Sequence, residues 1–146
     1  MAVSFITEDR NESSFYATDK EWFKTLPSGN NQFTVGHLNV RSLPLHFENM
    51  CATLRHTLKN ADLLALSETF LTEEKMRSNN YNIPDYQIIE KHRKEGKQGG
   101  ILSYVKSKYA VEEEEINLRE YENLFLKITV DLKCVVHVLI IYRPQK

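Results

Sequence analysis

Two polar residues stand at the ends of apolar runs, where a sheet-building chain can place a ligand site. Asn39 closes the run Phe33-Thr34-Val35-Gly36-His37-Leu38, and Glu68 follows Leu63-Leu64-Ala65-Leu66-Ser67. A carboxylate at a strand end offers hard oxygens of the kind that Mg2+ and Mn2+ prefer. It can equally cap a neighbouring loop, and taken alone that is the commoner use. Asn39 can present an amide oxygen or N–H donors, although an Asn shortly before Pro44 is ordinary turn chemistry. Tyr142 ends the apolar run Val135 to Ile141, a common place for an aromatic. His37, His46, His56 and His137 have no metal-ligand spacing. Cys51 and Cys134 form no Cys-x-x-Cys pair and read as two buried thiols of a reducing compartment rather than a disulfide. Lys91, His92, Arg93, Lys94 and Lys97 make a basic loop that suits a DNA backbone and suits plain solvation equally well.

The elements that would position Asn39 and Glu68 can be read from periodicity. Phe33 to Asn39 alternates as a strand, with Phe33, Val35 and His37 on one face and Thr34, Gly36 and Leu38 on the other. Pro44 is expected to bar an immediate helix. Phe47, Met50, Cys51, Leu54 and Leu58 then follow at spacings of three and four, one helical face, with Asn60 as a stop. Leu63 to Leu66 is a continuous apolar run, as expected of a strand covered on both faces. The chain therefore opens β-α-β, which predicts two parallel strands with Asn39 and Glu68 at the same edge. That edge is where open α/β sheets usually bind ligands.

Later elements read as mostly β. Strands are expected at Tyr86 to Glu90, at Ile101 to Val105 after Gly99-Gly100, through Leu126, Ile128 and Val130, and at Val135 to Tyr142 beyond a reversal at Asp131-Leu132-Lys133. Glu112 to Glu115 reads as a solvated loop or edge. Residues 1–31 are polar and aperiodic, ending in Pro27-Ser28-Gly29-Asn30-Asn31, and are expected to form a poorly ordered extension to a domain over 32–146.

The composition of the 146 residues is 41% hydrophobic and 27% charged, an ordinary globular balance for one domain. A formal net charge of −1 provides no bulk basic field for nucleic acid, although a metal ion can supply positive charge locally. No run approaches the roughly 18 apolar residues of a membrane span, and the first residues lack a signal-peptide core. A soluble intracellular protein without a membrane partner is expected, and a nuclear location is compatible with that.

Four segments in register carry a family resemblance: Leu38-Asn39-Val40-Arg41-Ser42-Leu43, Ala65-Leu66-Ser67-Glu68-Thr69-Phe70-Leu71, Gly99-Gly100-Ile101-Leu102-Ser103-Tyr104-Val105-Lys106, and Ile141-Tyr142-Arg143-Pro144. Over residues 33–144 the chain resembles the endonuclease domain of non-LTR retrotransposons, especially jockey-like elements. That domain belongs to the endonuclease/exonuclease/phosphatase superfamily. Each string alone is weak, and their shared order makes the match specific.

The resemblance implies an α/β fold, one half of a two-sheet sandwich, and metal-dependent nicking of DNA that leaves a 3′ hydroxyl for reverse transcription. It implies Mg2+ or Mn2+ as cofactor and DNA as partner. Glu68 matches the family's metal-binding glutamate, Asn39 the asparagine beside metal and phosphate, and Tyr142 the tyrosine on the scissile phosphate. Arg41, Arg93 and Arg143 are candidate phosphate contacts. The family's later Gly-Asp-Phe-Asn-like strand and terminal Ser-Asp-His have no counterpart among these residues, and Asp9, Asp19, Asp62, Asp85 and Asp131 stand in neither pattern. The expectation is a truncated, catalytically incomplete domain whose last apolar strand invites self-association or a protein partner. The alternative is a transposon-derived module that binds protein or DNA without catalysis.

Overall fold

The computed structural model describes residues 33–54, 61–91 and 99–143, together with strands at 3–9 and 12–16. Among the described residues nine strands form two sheets. The larger has six, in the order β2 (Glu12–Tyr16), β1 (Val3–Asp9), β3 (Phe33–Asn39), β4 (Leu63–Ser67), β6 (Ile101–Lys106) and β5 (Tyr86–Lys91). The smaller has three, β7 (Ala110–Glu114), β8 (Glu122–Asp131) and β9 (Cys134–Tyr142), in chain order. The described residues contain two helices, α1 at Leu43–Thr53 and α2 at Glu73–Ser78. The chain is thus mixed α/β with two sheets, as expected at that level.

β3 and β4 are parallel, with Val35 opposite Leu63 and Asn39 opposite Ser67. All five residues of β4 are buried because both of its faces are covered. Successive side chains point to opposite faces, so Leu64 and Leu66 join Leu38, Leu102, Tyr104 and the α1 residues Leu43 and Met50 in one cluster. Leu63 and Ala65 join Ile101, Val105, Leu124, Leu126, Ile128 and Ile140 in a second cluster, between the sheets. Fully burying one such leucine contributes about 1.5–3 kcal/mol. The order of layers is therefore helix, six-stranded sheet, three-stranded sheet.

The end of the large sheet away from Asn39 is pinned by Asp62. Its Oδ2 accepts from the Thr34 amide at 2.9 Å, and its Oδ1 accepts from the Tyr109 hydroxyl at 2.7 Å and lies 3.2 Å from Lys106 Nζ. A buried carboxylate is tolerated only with such partners. Asp62 holds the fold and takes no part in the candidate site.

Two local expectations change, one helix is new, and the glutamate run falls within its expectation as an edge. The stretch read as an extension contributes two strands, and β1 pairs antiparallel with β3 along Val3 to Glu8. Pro44 does not delay the helix; it occupies the first turn of α1, where its missing N–H would have had no helical partner. The stretch between β4 and β5, for which no element was expected, contains α2, capped by Thr72, whose side chain accepts from Lys75 N at 3.3 Å. Glu112, Glu113 and Glu114 lie on β7, an edge strand tied to β8 by Lys127–Glu112 at 3.0 Å. Leu58 and Asn60 lie outside the described residues. No described helix is long and apolar enough to cross a membrane.

Candidate functional site

The site is built at the carboxyl end of the parallel pair. After Asn39 and Ser67 both strands break into loops that continue to bond each other. The amides of Val40, Ser42 and Leu43 donate to the carbonyls of Ser67, Glu68 and Thr69 at 3.0, 2.8 and 2.8 Å. On the opposite flank, the amides of Thr69 and Phe70 donate to the carbonyls of Gly100 and Gly99 at 3.3 and 2.9 Å. Glu68 is thus presented by a turn held from both sides.

That turn is strained. Arg41, Ser42, Glu68 and Phe70 have φ values of 45°, 89°, 54° and 53°, where a side chain normally costs of order 1–2 kcal/mol per residue. Backbone strain of this kind gathers at functional sites, where surrounding bonds over-determine it. Gly99 and Gly100, with φ of 107° and 88°, supply the tight approach opposite.

The side chains of the three strongest sequence candidates belong to this corner. Tyr142, the last residue of β9, donates its hydroxyl to Glu68 Oε1 at 2.9 Å, linking the two sheets. Asn39 is level with Ser67, the residue before Glu68. Its Oδ1 is buried and has no hydrogen-bond partner. An orphaned amide oxygen of this kind is costly unless something else occupies it. One step back on the same face, His37 Nε2 lies 3.1 Å from Ser67 Oγ. Burial lowers the His37 pKa, so the ring is neutral at pH 7.

The oxygen donors fit a small hard cation in kind: the half-buried Glu68 carboxylate and the buried Asn39 amide oxygen. Among the described residues no group of three or more His, Cys, Asp or Glu side chains is arranged to hold a metal. A cation here would keep waters or take substrate oxygens, as Mg2+ commonly does.

The arginine candidates diverge. Arg41 is exposed on the loop facing the Glu68 turn. Arg143 is exposed, with its guanidinium 6.0 Å from the Tyr121 ring centre. Arg93 lies outside the described residues, with His92, Lys94 and Lys97. Lys91, which leads into that loop, is level with Ile101, and Ile101 with Ser67, so it ends on the site's edge of the sheet.

Sequence reasoning missed Glu122. It sits directly opposite Tyr142 in the β8–β9 register, and its Oε2 accepts the Gly100 N–H at 2.7 Å. A signal was present: Glu122 shares the alternation of Leu124, Leu126 and Ile128, so a carboxylate occupies an inward position of a core strand. No protein-family model matches the chain, and no curated protein matches its sequence.

Proposed function

We propose that the chain is the first part of an endonuclease/exonuclease/phosphatase-type domain resembling those of non-LTR retrotransposons, with a corner built to bind a divalent cation and a phosphodiester. The observation that carries the reading is the bond between Tyr142 and Glu68 at the carboxyl edge of a parallel strand pair, whose other strand ends at Asn39 with its unpartnered Oδ1. Glu68 and Asn39 would hold Mg2+ or Mn2+, which when bound neutralises charge on a phosphate. Once the cation takes the Glu68 carboxylate, the Tyr142 hydroxyl would turn its one proton from Glu68 to a non-bridging oxygen of DNA, and Arg41 would add a cation there.

These 146 residues contain no counterpart of the family's Asp-x-Asn and Ser-Asp-His segments. Groups that act as a unit lose most of their rate together. For these 146 residues assayed by themselves the proposal is therefore binding without appreciable turnover, DNA nicking being the reaction of a domain that has those segments. Mn2+ titration followed by electron paramagnetic resonance is expected to show binding that Glu68→Ala removes. Binding unchanged by Glu68→Ala sinks the site assignment. Supercoiled plasmid with Mg2+ or Mn2+ is expected to stay intact, and nicking that Glu68→Ala abolishes would overturn the inactivity.

A second reading, a non-catalytic binding module, is favoured by Val135, Leu139 and Ile141, which are exposed along one face of β9. It predicts partner binding that survives Glu68→Ala.

A further inference from the structure

Glu122 belongs to the smaller sheet, yet its carboxylate is bonded into the loop that braces the Glu68 turn. Oε2 accepts the Gly100 N–H at 2.7 Å. The other oxygen, Oε1, is only 2.6 Å from where a Cβ on Gly99 would lie, so the loop closes around this carboxylate and leaves no room for a side chain. A Cβ on Gly100 would meet Thr69 Oγ1 at the same short distance of 2.6 Å. The loop in turn accepts the Phe70 and Thr69 amides on the Gly99 and Gly100 carbonyls. Glu68 and Phe70 hold positive φ within that segment, a conformation that relaxes unless it is fixed from outside. A bond from an ionised carboxylate to a backbone N–H is roughly twice as strong as a neutral one.

We infer that Glu122 is a positioning residue: it clamps the Gly99–Gly100 loop against the 68–70 turn and so sets the direction in which Glu68 presents its carboxylate. Glu122 also stands opposite Tyr142 in the strand register, and Tyr142 grips Glu68 directly. The end of the β8–β9 hairpin therefore reaches the Glu68 turn by two routes. One is a hydroxyl on the side chain, and the other is a carboxylate acting through the glycine loop. The metal-binding consequence rests on the function proposed above, whereas the clamp itself does not.

The test reads both. Amide hydrogen exchange by nuclear magnetic resonance on the 146-residue chain is compared for wild type, Glu122→Ala, Glu122→Gln and Glu122→Asp. Glu122→Ala is expected to speed exchange at Gly100, Thr69 and Phe70 by about tenfold while the Asp62 end of the sheet stays protected. Glu122→Gln retains an oxygen acceptor at the same reach without the charge and should restore part of the protection, which a loss of bulk packing would not explain. Glu122→Asp keeps the charge but withdraws it, and should behave as Glu122→Ala does; it also serves where the alanine variant does not fold. Unchanged exchange at Thr69 and Phe70 in both shortened variants overturns the clamp. In parallel, Mn2+ affinity is expected to fall about ten- to a hundredfold in Glu122→Ala and to recover in part in Glu122→Gln. Exchange that loosens while Mn2+ affinity holds overturns the positioning of Glu68. A wild-type chain that binds no Mn2+ sinks the proposed function, and the exchange comparison still judges the clamp.

Discussion

Replacing Tyr142 by Phe deletes a single oxygen and leaves the ring packed against the second cluster, so no cavity complicates the result. What is lost is the bond from the hydroxyl to Glu68 Oε1 at 2.9 Å. A hydrogen bond to a charged group contributes about 1.5–3 kcal/mol where both partners are shielded from water. Glu68 is half-buried, so water reaches the released oxygen and the cost falls to the low end, about 1–1.5 kcal/mol. For a chain of this size that corresponds to a fall in melting temperature of roughly 2–6 °C. The assay is urea unfolding followed by far-ultraviolet circular dichroism on wild type, Tyr142→Phe, Glu68→Ala and the double variant. The Glu68 carboxylate is gone once that residue is Ala, so Tyr142→Phe is then expected to cost less than it does in the wild-type background. The coupling energy from the cycle should be about 1 kcal/mol. A coupling below about 0.3 kcal/mol, with Tyr142→Phe equally costly in both backgrounds, would refute the reasoning, because additivity of that quality marks sites that do not interact.

Two further outcomes follow from other parts of the fold. The Tyr104 and Tyr109 phenols are both pushed well above their ordinary pKa, in each case chiefly by burial, and in Tyr109 also by its bond to Asp62. In the unfolded chain they ionise near pH 10, so above that point the native state binds more protons than the unfolded one and stability falls as pH rises. Tyr86 is raised in the same direction, so urea midpoints are expected to fall between pH 9 and pH 11, and flat midpoints over that range would contradict it. At the opposite face, β9 pairs only with β8 among the described residues and exposes Val135, Leu139 and Ile141, an apolar edge of the kind that recruits another strand. Leu139→Lys should leave stability within about 0.5 kcal/mol while reducing concentration-dependent association in sedimentation velocity. An association unaffected by the charge would place the contact elsewhere.

Much of the scaffold was legible because its signals are local. The alternation from Phe33 to Asn39, the apolar run at Leu63 to Leu66, the helical stripe of Phe47, Met50, Cys51 and Leu54, and the reversal at Asp131-Leu132-Lys133 all became the elements that their periods imply. So did the parallel pairing of β3 with β4, since a helix between two strands leaves few other connections. Elements that lack a period escaped. α2 has six residues, none of them buried, and β7 is a run of glutamates whose strand conformation comes from pairing with β8.

The candidate site divides the same way. Asn39 and Glu68 can be placed at one sheet edge from sequence alone, because strand direction and length determine where a strand ends. Only the tertiary structure joins Tyr142 to Glu68, which is 74 positions away, and Glu122 to Gly100, 22 positions away. It also puts Glu68 and Phe70 in a left-handed backbone that neither residue prefers. Such contacts leave no local period, since they arise from the stacking of two sheets whose shared core, built from Leu63, Ile101, Leu124 and Ile140, brings distant strand ends into register.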